Sequence, residues 1–260
     1  MEAPQTAFLD DAYARIVAAW HREPRNTQEA LAPLLEEFRI PFAYNSGVIE
    51  NPEITYHDTR DVFERGSVRG FTGDVRTLFE IQNQKDCHEM LLAALVAGRP
   101  LDKDLMLETH LVLTKGTYDE ARWNKGERPG SFKLSDYVVG VNDTGESAED
   151  VEKAIDDLLS QLAVATPANI LTVAAFFHGT FEGIHPFADG NGRVGRALMN
   201  YLLIRYGHPP IIVYNDDRLS YYGALEAWDT QAALEPLKAF LKAETVKTWQ
   251  RLLSEESASE

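Results

Sequence analysis

The chain has one cysteine, Cys87, in 260 residues. A single thiol excludes an intrachain disulfide framework and a cysteine-rich zinc site, and Cys87 reads as a small buried apolar residue. Long hydrophobic runs are missing too. The longest, Ile170–Phe177 with Thr172 inside it, falls far short of the ~20 apolar residues that a bilayer-spanning helix needs. The N-terminal stretch is broken by Asp10, Asp11 and Arg15, and it lacks the basic start and apolar run of a signal peptide. A cytoplasmic protein is expected. Positive charge is scarce, with 25 Lys and Arg against 41 Asp and Glu and a formal net charge of −16. Broad nucleic-acid binding and a polybasic membrane anchor both require clustered Lys and Arg. No direct nucleic-acid binding and no membrane partner are therefore expected, although a small local anion site remains open. Hydrophobic residues at 44% and charged residues at 25% suit a soluble globular chain long enough to bury a substantial core.

What is present is mostly helical patterning. Phe8, Leu9, Ala12, Tyr13, Ile16, Val17 and Trp20 repeat at helical spacing. Leu31, Leu34, Leu35 and Phe38 predict a second helix that stops before Pro41. Between Pro41 and Pro52, Ser46–Glu50 can form about one helical turn, with Asn51 and Pro52 as its stop. Thr72 is placed to cap a helix reaching Leu95, and Asp102 to cap one that passes Leu111 and ends near Gly116. Tyr118–Gly130 reads as a loop. The next segment, Ser131–Val141, is the one convincing β-like stretch and predicts a short exposed hairpin. Helix returns at Glu149–Leu162. Thr166 before Pro167 predicts the start of another helix, which is apolar nearly all round and hence central to a bundle. After a loop at Gly183–Gly192, further helices are expected over Val194–Tyr206, Ser220–Trp228 and Leu234–Leu252, followed by a frayed acidic tail. The fold class is all-α, with no internal repeat and no linker that divides the chain.

Chemistry concentrates in Gly183–Arg196. Gly190, Asn191 and Gly192 precede a helix N-terminus, where glycines let backbone N–H groups converge on an anion and the helix dipole adds positive potential. Arg193 and Arg196 lie in the first turn of that helix. Cations there are locally unfavourable by roughly 0.3–1 kcal/mol each, a cost that a bound polyanion or an internal carboxylate reverses. Asp189 is a hard oxygen ligand beside the nest, suited to Mg²⁺ shared with phosphates. His185 is the natural general base. The conjunction of base, metal ligand, anion nest and two arginines at one loop-to-helix junction points to a phosphate-handling site.

The run His185-Pro-Phe-Ala-Asp-Gly-Asn-Gly-Arg-Val-Gly-Arg196 resembles the Fic (FIDO) family signature, His-x-Phe-x-Asp/Glu-Gly-Asn-Gly-Arg-x-x-Arg, at every specified position. His178, Ile184 and the Leu-Met-Asn run after the motif also look family-like. The resemblance implies a helical core over about residues 101–241 with a hairpin flap that positions the target. It implies transfer of AMP from ATP to a Ser, Thr or Tyr hydroxyl of a target protein, the chain itself included. In that scheme His185 deprotonates the hydroxyl, Phe187 anchors the loop, and Asp189 binds Mg²⁺ on the α- and β-phosphates. Gly190, Asn191 and Gly192 hold the phosphates, Arg193 grips the β-phosphate and Arg196 the γ-phosphate. The phosphate-transferring Doc branch carries Lys in place of the second glycine, so Gly192 favours nucleotidyl transfer.

A second resemblance concerns control. Ser46-Gly-Val-Ile-Glu-Asn51 is similar to the family's inhibitory helix motif, Ser/Thr-x-x-x-Glu-Gly/Asn, which implies that Glu50 pairs with Arg196 and displaces the γ-phosphate. The chain then resembles the class inhibited by an N-terminal helix of its own. It divides into a helical region at 1–100 that carries the inhibitor, a core at 101–241 and an acidic tail at 253–260, in one unit. Phe132, Lys133 and Leu134 belong to the candidate target flap, which pairs with target backbone by strand addition. Tyr221 and Tyr222 fall where the family lines its adenine pocket. Alternatives on the same site are removal of AMP from a modified target, a different nucleotide donor, and a regulatory module that binds nucleotide without catalysis.

Overall fold

Two helices joined by the signature loop form the centre of the molecule. In the computed structural model, which describes residues 3–24, 27–137 and 145–257, every regular element among the described residues is helical. Helix α1 is Ala3–Arg22, α2 Gln28–Val48, α3 Tyr56–Arg65, α4 Val75–Val96, α5 Lys103–Thr114, α6 Glu120–Asn124, α7 Val151–Gln161, α8 Ile170–Ile184, α9 Asn191–Arg205, α10 Arg218–Gln231 and α11 Glu235–Ser257. Helix α8 is apolar on all sides and is buried accordingly, with Ala174, Ala175, Phe177, His178 and Phe181 fully enclosed. It packs chiefly on α9, where Val194, Leu198, Met199 and Leu203 are equally buried. Helices α5, α7, α10 and α11 surround this pair, and Cys87 on α4 lies in the same apolar cluster, as expected of a structural thiol. A second cluster ties the two ends of the chain together. There α1 packs on α11, and the ring centroids of Trp20 and Trp249 lie 5.0 Å apart.

The structure corrects several element boundaries. Helix α2 does not stop before Pro41 but runs through Pro33 and Pro41 to Val48, so Ser46 lies in the last turn of a long helix. An internal proline costs ~3 kcal/mol or more through its missing N–H and its clash with the carbonyl four residues back. That carbonyl belongs to Glu37, an exposed residue, while Phe38, Ile40, Ala43 and Val48 are buried and offset the cost. The helix α4 is capped by Asp74, whose Oδ1 accepts the Arg76 N–H at 2.9 Å, and not by Thr72. Helix α8 begins at Ile170. Thr166 and Pro167 lie in a preceding turn, in which Asn169 Oδ1 accepts the Thr166 N–H at 2.7 Å. Helix α10 starts at Arg218, two residues before Ser220. Helix α3, capped by Thr55 and closed by left-handed Gly66, has no counterpart in the periodicity reading, and α6 lies within the stretch read as loop. At the C-terminus α11 continues to Ser257, where a frayed tail is predicted. Of the candidate hairpin, 131–137 carries no strand, and 138–141 lies outside the described residues.

Candidate active site

The chain reverses between α8 and α9 in six residues. His185 ends α8 in the left-handed region, at φ 51° and ψ 62°, with its N–H donated to the Phe181 carbonyl at 3.0 Å. A β-carbon makes that conformation cost roughly 1–2 kcal/mol, and such strain is typical of functional positions. Pro186 then prevents the helix from continuing. Gly190 opens α9 at φ 85°, and a Cβ there would stand 2.6 Å from Thr114 Cγ2, so both the angle and the space demand glycine.

Three side chains shape the loop. Phe187 is fully buried and stacks on the His110 ring, with centroids 3.7 Å apart and planes within 5°. Asn191 closes a ring with the Phe187 backbone, accepting its N–H at 2.9 Å and donating to its carbonyl at 2.8 Å. The same Nδ2 lies 3.1 Å from both ring nitrogens of His185. The side chain of Asn191 is thus committed to the loop. His110 supports the loop from outside the motif. Its Nδ1 accepts the Gly130 N–H at 2.9 Å, which leaves the proton on Nε2, 3.1 Å from the Asp189 carbonyl. Burial holds the His110 pKa down at about 3, so the ring is neutral and this tautomer is fixed.

The charged groups form two clusters, one per arginine. Arg193, almost fully buried, lies 3.4 Å from Asp189 Oδ1 and 3.4 Å from Glu80 Oε1. Asp189 Oδ2 faces Arg76 at 3.0 Å and Arg122 at 3.5 Å. Arg76 also donates to Glu80 Oε1 at 3.0 Å. Arg196 is buried on the other side. It donates from Nε to Ser46 Oγ at 3.1 Å, and from Nη2 to the Ser46 carbonyl at 2.9 Å and Glu50 Oε1 at 2.8 Å. Burial works against its charge, but the carboxylate of Glu50, with Tyr221 and Glu182, more than offsets this and holds its pKa above the ordinary value. Both arginines at the positive end of α9 therefore have internal carboxylate partners, which answers their unfavourable local placement.

Glu50 lies beside the nest, against Gly192. A Cβ on Gly192 would lie 2.3 Å from Glu50 Oε1, so the carboxylate rests against the glycine Cα. The turn that delivers it is closed by Gly47, whose carbonyl accepts the N–H groups of Glu50 at 3.0 Å and Asn51 at 2.9 Å. Asn51 pins this turn to α4 by donating to Glu80 Oε2 at 2.7 Å and Thr77 Oγ1 at 3.2 Å. Glu80, Arg76 and Arg122 are, like His110, absent from the sequence-derived candidates. Arg76–Glu80 and Arg122–Asp119 are ordinary local helix pairs, while the contacts that bring these residues to the signature loop and the Glu50 turn span tens to more than a hundred positions, and no local spacing signals those.

The remaining candidates divide. The flap's described part is bound inward. The Lys133 N–H is donated to the Pro186 carbonyl at 2.9 Å, and the Leu134 N–H to both oxygens of Glu127 at 3.0 and 3.2 Å. Phe132 stacks near Phe187, at 5.7 Å between centroids, and the Lys133 side chain is buried, while that of Leu134 is exposed. Neither the Lys133 nor the Leu134 N–H is left for strand addition. Beyond the undescribed segment, the Glu146 N–H returns to the Ile184 carbonyl at 2.9 Å, so both flanks of the flap clasp the His185 turn. Tyr221 is fully buried, with its hydroxyl 2.7 Å from His178 Nε2, and it lies close to Arg196; Tyr222 is half exposed, with its ring centroid 5.3 Å from that of Tyr221. Glu182 Oε1 lies 3.8 Å from His178 Nδ1 and has no hydrogen-bond partner. Burial, against the pull of Arg196, raises its pKa to about 8.

Among the described residues, no group of three or more His, Cys, Asp or Glu could hold a metal ion. A single carboxylate beside an anion nest nevertheless suits Mg²⁺, which keeps waters and shares substrate phosphates where it lacks a dedicated protein cage.

Residues 100–203 match the sequence profile of the Fic/DOC family. The chain belongs to the Fic/DOC family. It is 43% identical over 223 residues to the protein named protein adenylyltransferase Fic of Drosophila persimilis, covering 85% of this chain and 42% of that one. It is 30% identical over 243 residues to the protein of the same name in Drosophila willistoni, covering 92% and 45%. The chain thus spans less than half the length of these curated relatives. The solved structure of a Fic-domain-containing signaling protein from Bacteroides thetaiotaomicron superposes with a TM-score of 0.77 over 93% of this chain and 95% of that one, at 22% identity, and so shares the fold. The Fic/DOC match spans α5 to α9 and leaves out α2 and α4. Glu50, Asn51, Arg76 and Glu80 therefore reach the Fic site from outside the matched segment.

Proposed function

We propose that the chain is a protein adenylyltransferase held inactive by its own Glu50. The observation that carries the reading is the seat of the Glu50 carboxylate, which lies on Gly192 and Arg196, where the anion nest and the buried cation converge. An internal carboxylate there marks the place as one that accepts an external anion once it is vacated. The names of the Drosophila relatives support adenylyl transfer as the reaction.

In this reading the backbone N–H groups at the start of α9 and the Arg193 and Arg196 guanidinium groups cradle the polyphosphate of ATP. His185, at the rim, takes the proton from a Ser, Thr or Tyr hydroxyl of the target. The hydroxyl oxygen attacks the α-phosphorus, the bond from that phosphorus to the bridging oxygen breaks, and pyrophosphate leaves. Asp189 holds Mg²⁺, which when bound neutralises charge on the phosphates. Most of the rate then comes from positioning and electrostatic complementarity, because one proton transfer is all the side-chain chemistry required. The target is a protein hydroxyl, the chain's own included, and Tyr222 offers a face to the base. No described helix is long and apolar enough to cross a membrane, and the proposed compartment is the cytoplasm.

The test is label transfer by Glu50→Gly in lysate with Mg²⁺ and ATP labelled at the α- or the γ-phosphate. The expected result is protein-bound α-label, no protein-bound γ-label, and loss of transfer in Glu50→Gly/His185→Ala. Transfer of γ-label, or no transfer even to the chain itself, contradicts the reading.

A further inference from the structure

Arg76 stands outside the signature, yet it occupies the carboxylate the signature reserves for a cation. Both oxygens of Asp189 are engaged by guanidinium groups. Arg193 lies on Oδ1, and Arg76 and Arg122 lie on Oδ2. The three are not equivalent. The side chain of Arg193 is 4% exposed and that of Arg76 is 38% exposed, so Arg193 is enclosed while Arg76 borders solvent. Arg122 is farther from Asp189, at 3.5 Å, and is already paired with Asp119. Arg76 makes the shortest contact with Asp189 and is the most exposed of its partners.

Arg76 is also wired to the inhibitory turn. Its Nε donates to Glu80 Oε1, an oxygen that Arg193 shares at 3.4 Å, while Glu80 Oε2 accepts from Asn51, the neighbour of Glu50. A continuous polar path runs from Asn51 through buried Glu80 to Arg76 and Asp189. The turn that places Glu50 on Arg196 thus helps to hold Glu80, and Glu80 shares Arg76 with Asp189.

From this geometry we infer that Arg76 is a resident counter-ion that competes with the divalent metal for Asp189, so the resting chain guards its metal carboxylate as well as its phosphate nest. The inference rests on the reading of Asp189 as the metal carboxylate. Displacing Arg76 is part of loading the site. Glu80 sets how firmly Arg76 stays, because the two guanidinium groups that share Glu80 shift their attraction to Asp189 when its charge is removed. Arg76→Gln should therefore ease metal binding and Glu80→Gln should hinder it. A general loosening of the site would move both variants in the same direction.

The experiment titrates Mn²⁺ by electron paramagnetic resonance into the full chain carrying Glu50→Gly, with ATP present, and reads the half-saturating concentration. A partly exposed ion pair of this kind predicts that adding Arg76→Gln lowers it about threefold to fivefold. Adding Glu80→Gln should raise it, and adding Arg122→Gln should lower it less than Arg76→Gln does. Asp189→Asn separates the two levels of the argument. If ATP-dependent Mn²⁺ binding is missing in Glu50→Gly, or survives Asp189→Asn unchanged, the reading of Asp189 fails and the inference with it. If that binding is present and lost in Asp189→Asn, but Arg76→Gln leaves the half-saturating concentration unchanged or raises it, the inference alone is overturned.

Discussion

At the scale of single residues, the site is governed by competition for two buried guanidinium groups. Glu50 wins Arg196 because Gly192 has no side chain to exclude it. The pair is therefore coupled to a position that makes no hydrogen bond to either group. Gly192→Ala puts a methyl group 2.3 Å from Glu50 Oε1 and 2.9 Å from Arg196 Nη1. It should destabilise the wild-type chain, and the part of that cost due to the carboxylate should vanish in Glu50→Gly. A double-mutant cycle followed by chemical denaturation should give a coupling of about 1–2 kcal/mol. Additive effects would show that the carboxylate does not rest on the glycine in solution. The motif residues were legible in the sequence because a loop-to-helix anion site is written in adjacent positions. His110, Glu80, Arg76 and Arg122 were not. Each acts through a partner brought close only by the packing of α4, α5 and α6 on the signature loop, and a lone His or Arg in a helix looks the same whether it holds a catalytic loop or faces water.

At the scale of elements, the proposed inhibitory segment is the tail of α2 and the turn that follows it. The sequence places a break at Pro41 because proline disfavours a helical neighbour before it. The structure carries the helix onward because the buried face of α2 outweighs a defect on its solvent side. The consequence is functional, since Ser46 and Glu50 are presented by a long helix packed on α4 and α9 rather than by a free turn. Asn51 is the latch at its end. Asn51→Ala removes the hydrogen bonds to Glu80 and Thr77 and leaves Glu80 Oε2 without that partner, at a cost of about 1–3 kcal/mol. It should raise adenylyl transfer above wild type while remaining below Glu50→Gly, because the latch is lost and the competing carboxylate stays. Transfer equal to wild type would mean that the turn holds itself. The long amphipathic helices and the largely apolar α8 were readable from the sequence pattern. Helix α3 was not, because its buried face mixes Thr59 and Asp61 with Val62 and Phe63 and leaves no apolar stripe.

At the scale of the whole molecule, burial of titratable groups sets the pH at which the fold is most stable. Burial lowers the pKa of His88 and His208 to about 4 and of His110 and His178 to about 3. Below the ordinary histidine value of 6.5 the unfolded chain binds protons there that the folded chain refuses, so these four groups make stability fall as pH drops from about 6.5 towards 4. Burial raises Glu182 to about 8 and Glu244 to about 7. The folded chain keeps those two protons above the ordinary value of 4.5, so their contribution is lost as pH rises towards 8. Four groups outweigh two on the acid side, and the two act alone on the other. The melting temperature should peak near pH 6.5 and fall on both sides; a monotonic rise from pH 5 to 8 would contradict these burial effects. The net charge of −16 is a sum over the whole chain that hides the site, where a few basic residues are enclosed with their own acids.

The central claim is that Glu50 denies ATP a place that the rest of the chain has already built. The most direct measurement is the initial rate of α-label transfer by the wild-type chain and by Glu50→Gly, at equal protein, ATP and Mg²⁺. The account predicts a rate at least about tenfold higher for Glu50→Gly, the effect of removing about 1.4 kcal/mol or more of competition at Arg196. Equal rates in the two proteins, with the folded state of both verified by their melting curves, would contradict it.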